Sequence, residues 1–400
     1  MRAADRNHQT TIAVVGAGPV GLAAALSLSD AGHAVTLVAP ARPPADERTS
    51  ALLAGSVALL DRVGVWRAIA AEAAPLSTMR IIDGTKRLIR APEVAFDASE
   101  IGLGAFGYNI PNAVLVAALE AAVAARSIAR REAVVEAVAA GDEAIGLTLS
   151  GGGVLSAKLA VAADGRRSKV RDGVGIETQS WRYDQAALVC NLRHARPHRD
   201  TSTEFHTEAG PFTLVPLPGK RSSLVWVDRP AETERRMTLS EENLAAEIEA
   251  RAQSMLGAMT IDGKRQMFPL SGMNARRFAA SRVMLAGEAA HLFPPIGAQG
   301  LNLGYRDVTV LAEILAGSQG DPGAAGLLVA YDRARRGDVF ARTAAVDALN
   351  RTLLSEFLPV QALRGAGLFL LDRVPPLRRL AMRQGVALGA SGTDRPADYC

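Results

Sequence analysis

Apolar runs of two lengths alternate along the first part of the chain. The run TIAVV at 11–15 is apolar almost throughout, as in a strand covered on both faces. Glycines follow, and then an Ala/Leu-rich helical stretch over 20–30. Gly32 stands where a helix terminator belongs, and AVTLVA at 34–39 predicts a second strand. Residues 113–126 (AVLVAALEAAVAAR) predict a helix and 159–163 (LAVAA) another buried strand. Between about 180 and 270 the texture changes. The runs AALVCNL, FTLVPL and SSLVWV are separated by Pro/Gly turns, as in an antiparallel sheet, and 241–257 reads as an amphipathic helix. A buried strand returns at 282–286 (RVMLA), and from 300 onward the chain reads as almost wholly helical. Weaker strand signals at 75–100 are assigned to the second sheet. This alternation predicts a layered α/β fold without internal repeats.

Composition narrows the function classes. With 48% apolar residues in 400, the chain can bury a large core, and only 4% aromatics leave that core to Ala, Leu and Val. The formal charge of +4 is spread without a dense Lys/Arg block, which argues against a nucleic-acid groove. Cys190 and Cys400 are too far apart in sequence for a paired motif, so neither a disulfide framework nor a zinc site is expected, and a reducing compartment is. The polar opening MRAADRNHQT lacks the apolar stretch of a signal peptide, and no run approaches the ~20 apolar residues of a membrane span. The expectation is a cytoplasmic protein.

The first chemical motif is Gly16-Ala17-Gly18-Pro19-Val20-Gly21, set between a strand and a helix. Glycines there allow the tight turn, the close approach of backbone to a pyrophosphate, and helix–sheet packing. Free N–H groups at the helix start then hold phosphate. The second strand should end in an acidic residue for the ribose hydroxyls, but Ala39 and Pro40 stand there. Asp46 or Glu47 is the candidate to reach back instead.

Two later segments select the dinucleotide. Residues 162–171 read AADGRRSKVR and residues 286–306 read AGEAAHLFPPIGAQGLNLGYR. Both resemble motifs of the flavin-dependent aromatic hydroxylases typified by p-hydroxybenzoate hydroxylase. The resemblance implies that Asp164, Gly165, Ser168 and Arg171 contribute to FAD and NAD(P)H handling. It also implies that Gly287, Glu288, Pro295, Gly297, Ala298, Gln299, Gly300, Leu301 and Asn302 surround the flavin, with Glu288 in place of the usual aspartate. A strand ending at Gly287 would bring Glu288 to the ribityl hydroxyls, and a helix opening near Gly300 would face its dipole to the flavin ring. His291 alone reads more readily as a structural histidine than as an acid or base.

Over most of its length the chain looks closest to the UbiH/UbiF family of ubiquinone-biosynthesis hydroxylases. ERTSALL at 47–53 places Arg48 beside the flavin by that resemblance, and YNIPN at 108–112 places Asn112 there. The strands within 205–227 match the family's substrate sheet, so Phe212, Leu214, Pro216 and Trp226, with Pro295, are candidate pocket residues; plain core packing is the alternative for each. The implied architecture is a Rossmann-like FAD-binding domain (1–74, 101–178 and 271–340) with an inserted antiparallel β-sheet substrate domain (75–100 and 179–270) and a helical C-terminal region (341–400). The implied reaction uses FAD, NAD(P)H and O2 to hydroxylate an aromatic ring, with a polyprenyl phenol or quinone precursor as substrate. No second GxGxxG stands between a buried strand and a helix start, so NAD(P)H is expected to bind without a Rossmann domain of its own. The Arg- and Leu-bearing segment 363–388 is a candidate contact with a membrane surface or with other ubiquinone-biosynthesis proteins, or else a cap on the flavin domain. A hydroxylase of soluble aromatics, a flavin reductase and a non-catalytic flavoprotein subunit also stay open at this point.

Overall fold

The computed structural model describes residues 8–41, 46–85, 92–294, 298–318, 320–354 and 373–386. Pro295, Gly297, Cys400 and much of 363–388 lie outside the described residues.

His8–Val15 sits at the middle of the first sheet, parallel to Val35–Ala39 on one side and to Val154–Ala162 on the other. Ala129–Glu132 and Val283–Leu285 extend it in parallel at the two sides. Ile12, Ala13, Val14, Leu37, Leu159 and Val161 are fully buried, because helices cover both faces and leave no polar side. Pro19–Asp30 connects the first two strands. Proline occupies its first turn, where a missing N–H costs nothing, and Gly32 closes it at φ +89°. Val135–Ala140 and Ile145–Leu149 add antiparallel strands beside Val154–Ala162. The first is largely exposed and the second alternates buried and half-buried positions, so neither forms an apolar run.

In the second sheet the order is Val94–Asp97, Thr78–Asp83, Thr201–His206, Pro211–Leu217, Arg221–Asp228, Thr178–His194, Gln266–Ala275 and His291–Leu292. Pairing is antiparallel except between Thr78–Asp83 and Thr201–His206. The outer face carries Leu188, Cys190, Leu192, Phe205, Phe212, Leu214, Leu224 and Trp226 under Leu244 and Ile248 of helix Glu241–Arg251. That helix starts on the Ser240 side chain, which accepts from Asn243 N–H. It stops six residues short of the predicted end, with Gln253 and Ser254 at positive φ. Along the same strands the inner face carries Val189, Thr213, Val215 and Val225, each half-buried.

A small sheet, Thr49–Leu53 with Gly107–Pro111 and Ala74–Pro75, lies between the two large ones. Asn109 Nδ2 donates to Pro216 O at 2.8 Å and to Ser223 Oγ at 3.2 Å, which ties it to the inner face of the second sheet. Gln299–Ala316 and Ala325–Leu354 pack onto the first sheet, and Pro375–Val386 docks at the far edge of the second. Among the described residues no helix is long and apolar enough to cross a membrane.

Candidate functional site

Three strands of the parallel sheet end in register: Val15 pairs with Ala162, and Ala162 with Leu285. The turns that follow, beginning at Gly16, Ala163 and Ala286, therefore emerge side by side at the carboxyl edge, where open α/β sheets bind ligands. The sequence motifs converge for that reason.

Their contacts are close. Gly16 has φ +109°, and a Cβ there would lie 2.2 Å from Ala163 O and 3.0 Å from Asp164 N. A Cβ on Gly21 would lie 2.0 Å from Gly16 O. Gly18 faces open space and forms the start of the helix, which has neither a side-chain cap nor an acidic residue in its first turn. Two glycines close the turn and the third leaves room beside uncapped N–H groups, which suits a pyrophosphate. Val20 packs against Gly287 and Gly304, where a Cβ would meet its methyls at 3.2 Å and 2.5 Å.

Ser168 caps the short helix Lys169–Gly173 by accepting from Arg171 N–H at 2.9 Å. The buried Arg171 guanidinium donates to Ala289 O at 3.2 Å, joining the second motif to the third. Burial pushes the Asp164 carboxyl up, partly offset by Ser168 and nearby backbone N–H groups. Its Oδ1 is buried with no protein partner, a free acceptor at the site. Gly165 lies in the turn at φ +81°.

Arg48 forms a two-pronged ion pair with Asp46 at 2.7 Å and 2.8 Å, and Asn112 Nδ2 donates to the same carboxylate at 2.8 Å. Burial would raise the Asp46 pKa, but these donors outweigh it and hold it below the ordinary value. The guanidinium, its pKa raised chiefly by Asp46 and also by Glu288, lies 5.3 Å from the Phe268 ring centroid. Glu47 binds Lys264 at 2.9 Å. Both acids expected to reach back toward Ala39 are thus engaged elsewhere, and the Ala39 carbonyl accepts from Ala133 N–H.

Helix Gln299–Ala316 also begins without a side-chain cap or an acidic first turn, after Ala298 at φ +54°. Gly300 faces open space, and Leu301 packs on the core. Asn302 is buried with its amide fully engaged. Its Oδ1 accepts from Leu53 N–H at 2.8 Å and Ser56 Oγ at 2.6 Å, while Nδ2 donates to Ala51 O and Ala298 O. It clasps the helix to the small sheet. Glu288 is exposed.

Behind the third motif stands a network the sequence did not announce. Asp307 is fully buried, accepts from Gly287 N–H at 2.9 Å, and contacts His291 Nε2 and Arg335 Nε at 2.7 Å each. Burial pushes its carboxyl up, but His291 and Arg335 outweigh that and hold it low. His291 lies between Phe278 and Phe293 and is 2% exposed, so it is a structural partner of Asp307. Asp307 and His291 lie 16 residues apart and Arg335 another 28, spacings that carry no periodic signal.

The substrate-sheet candidates need a correction. Phe212, Leu214 and Trp226 are 0–2% exposed on the outer face, stacked with Phe205 and beneath the 241–251 helix. Arg236 covers the Trp226 ring at 3.8 Å. They are core, with no surface left for a ligand. Pro216 shares their phase in the strand and is buried. The period-2 pattern was right, but the face whose Val189 and Phe268 meet Arg48 is the other one.

Comparison with known proteins shows the family. The family profile described as "FAD binding domain" matches residues 9–345. The chain belongs to that FAD-binding family. This flavoprotein is 35% identical over 396 residues to ubiquinone hydroxylase UbiL of Rhodospirillum rubrum, covering 96% of this chain and 91% of that one. It is 34% identical to 3-demethoxyubiquinol 3-hydroxylase of Escherichia coli, covering 96% of this chain and all of the relative. The flavoprotein fold superposes on p-nitrophenol 4-monooxygenase PnpA of Pseudomonas putida with a TM-score of 0.75 at 21% identity, covering 95% and 98% of the two chains.

Proposed function

We propose that the chain is an FAD-dependent monooxygenase that hydroxylates the aromatic ring of a quinone precursor, using NAD(P)H and O2. The observation that carries the reading is the convergence of three motifs at one sheet edge, with Arg48 set against the half-buried Val189 and Phe268 of the second sheet. Relatives named as ubiquinone hydroxylases support the substrate class.

The residues fit FAD. Gly16, Gly18, Pro19, Val20 and Gly21 would hold its pyrophosphate at the helix start, and the orphaned Asp164 Oδ1 would accept a hydrogen bond beside it. Gly165 and Arg171 shape that turn. Arg48 and Asn112 would flank the isoalloxazine, with Gly287 and Glu288 at the ribityl chain. Ala298, Gln299, Gly300 and Leu301 would contribute through the uncapped helix start, and Asn302 by clasping that start in place. When bound, FAD supplies the hydride acceptance and oxygen activation that no side chain offers. The protein's work is to orient the ring, exclude water and stabilise negative charge with the N-terminus of Gln299–Ala316.

The C-terminal helix extends the reading to a membrane surface. Met382 and Arg378 anchor it, the latter to Glu100 at 2.6 Å and 2.7 Å. Leu377 and Leu380 face outward at 42% and 54% exposure, flanked by exposed Arg379 and Arg383. Leucines ringed by arginines suit an anionic bilayer, where a lipophilic precursor resides.

The decisive experiment supplies reconstituted enzyme with NAD(P)H, isotopically labelled dioxygen and a short-chain prenylphenol. One labelled oxygen in the ring is the expected result. NAD(P)H consumption with no label in product identifies a reductase instead. Flotation with anionic vesicles, lost on Leu377→Glu/Leu380→Glu, tests the surface contact; absence of flotation removes it.

A further inference from the structure

The inner face of the second sheet carries a half-buried acid, Glu204, that the hydroxylation reading leaves unused. Val189, Val225, Thr213, Glu204 and Ile81 sit side by side across five strands, as cross-strand neighbours. All five are half-buried, whereas Leu188, Leu224, Trp226, Phe212, Leu214 and Phe205 on the other face are 0–2% exposed. Beside the fully buried Ala187 and Val227 of the same face, this row is the part left partly open. At one end, Val189 and its neighbour Gln266 line a cavity of about 30 Å³ with Glu47 and Arg48, the arm placed beside the flavin. This end of the row therefore adjoins Arg48.

In this mostly apolar row the charged group is Glu204. Its Oε1 lies 2.9 Å from His206 Nε2, and its Oε2 accepts from Thr213 Oγ1 at 3.3 Å. His206 is 4% exposed, but the glutamate side chain keeps 21%. Burial pushes the Glu204 pKa up, and His206 and Thr213 outweigh it, so the group is a carboxylate. The other charged groups nearby are already engaged. Asp83, beside His206, accepts from Thr85 N–H and Oγ1, and Arg48 at the far end is paired with Asp46. A carboxylate with spare lone pairs in an apolar wall accepts hydrogen bonds and repels anions.

We propose that Glu204 is the polar anchor of the substrate cleft: it accepts the hydrogen bond of a ring hydroxyl, with His206 as its positioning residue. The cleft then takes a neutral phenol bearing an apolar substituent and rejects aromatic carboxylates. A hydroxyl bonded to a carboxylate also gains phenolate character, which enriches the ring carbons toward an electrophilic oxygen. This rests on the reading of the chain as a ring hydroxylase.

Ligand binding to the FAD-loaded enzyme, followed by perturbation of flavin absorbance, tests it. The probes are 2-hexylphenol, its methyl ether 2-hexylanisole, and 2-hexylbenzoate. The phenol is expected to bind roughly tenfold or more tightly than the ether, the weight of a hydrogen bond to a charged acceptor, with the benzoate weaker still. Glu204→Leu should bring phenol and ether within about twofold, and Glu204→Gln should recover benzoate binding by roughly tenfold. His206→Phe should weaken the phenol preference and His206→Gln, which still offers a donor, should restore it. Each variant is scored only with full FAD content. Equal binding of phenol and ether by the parent enzyme, no phenol binding at millimolar concentration, or a Leu variant that keeps the preference overturns the assignment. Because binding is read and not turnover, a failure of the hydroxylase reading is seen separately, as unlabelled product in the dioxygen experiment.

Discussion

The two large sheets keep their chemistry in different places. In the parallel sheet it lies at the strand ends, because Val15, Ala162 and Leu285 stop in register and the turns beyond them share one edge. In the antiparallel sheet the proposed substrate anchor lies on one face, and the other face is core. A strand end is marked in sequence by glycines and acids. A face is marked only by odd or even position, and both faces here are apolar. Motifs therefore locate the first kind of site, while the second kind waits for the fold.

The largest effect expected concerns the network behind the strand ends. Asp307→Ala leaves His291 and Arg335 buried without their shared acceptor, which should cost about 3–5 kcal/mol and release FAD. Urea melts and the ratio of flavin to protein absorbance measure both. A stable, flavin-loaded variant would mean that the edge is held by its turns alone.

The two faces of the second sheet separate next. Phe212→Ala on the outer face should cost about 3–5 kcal/mol, with phenol affinity per folded molecule unchanged. Val225→Ala on the inner face should cost about 1 kcal/mol in stability and weaken phenol binding. Interchanged outcomes would reverse the assignment of the faces.

Gly16→Ala sharpens the strand-end side. With φ +109° and backbone 2.2 Å from the new Cβ, it should lose about 1–3 kcal/mol and most of its FAD affinity. Gly18→Ala, facing open space, should keep its stability and weaken FAD binding only. Equal melting temperatures for the two variants would contradict the division of labour among the glycines.

The smallest effect is with pH. Burial pushes Asp338 up, but Arg335, Arg306 and Arg342 outweigh it and hold it at about 2. A depressed carboxylate stabilises the fold above its unfolded pKa and loses that contribution as pH falls through the folded one. Part of the stability should therefore vanish between about pH 4 and pH 2. Asp338→Asn should flatten that part of the curve in urea melts.

Much of the fold was legible along the chain. The alternation of buried runs and helices, the antiparallel texture after 180 and the helical final part follow from periodicities of 2 and 3.6. The strands at 135–140, 145–149 and 49–53 escaped because the first is largely exposed, the second is buried only at alternate positions and the third is buried only at Leu52 and Leu53. Gly16, Gly21, Arg48 and Asn112 were legible as motif members. Asp307, Arg335 and Asn109 were not, since each acts on residues far away in sequence.

By itself, the sequence determined that this chain builds a dinucleotide turn and a flavin-type strand end, because those motifs are local: a glycine that must admit a backbone is recognisable where it stands. Only the tertiary structure decided which face of the second sheet is sealed core, that Asn302 serves as a clasp, and that Glu204 stands beside Thr213 and Ile81 on the other face. Those outcomes depend on which elements pack together, and a chain's local pattern is the same whichever side its neighbour approaches from.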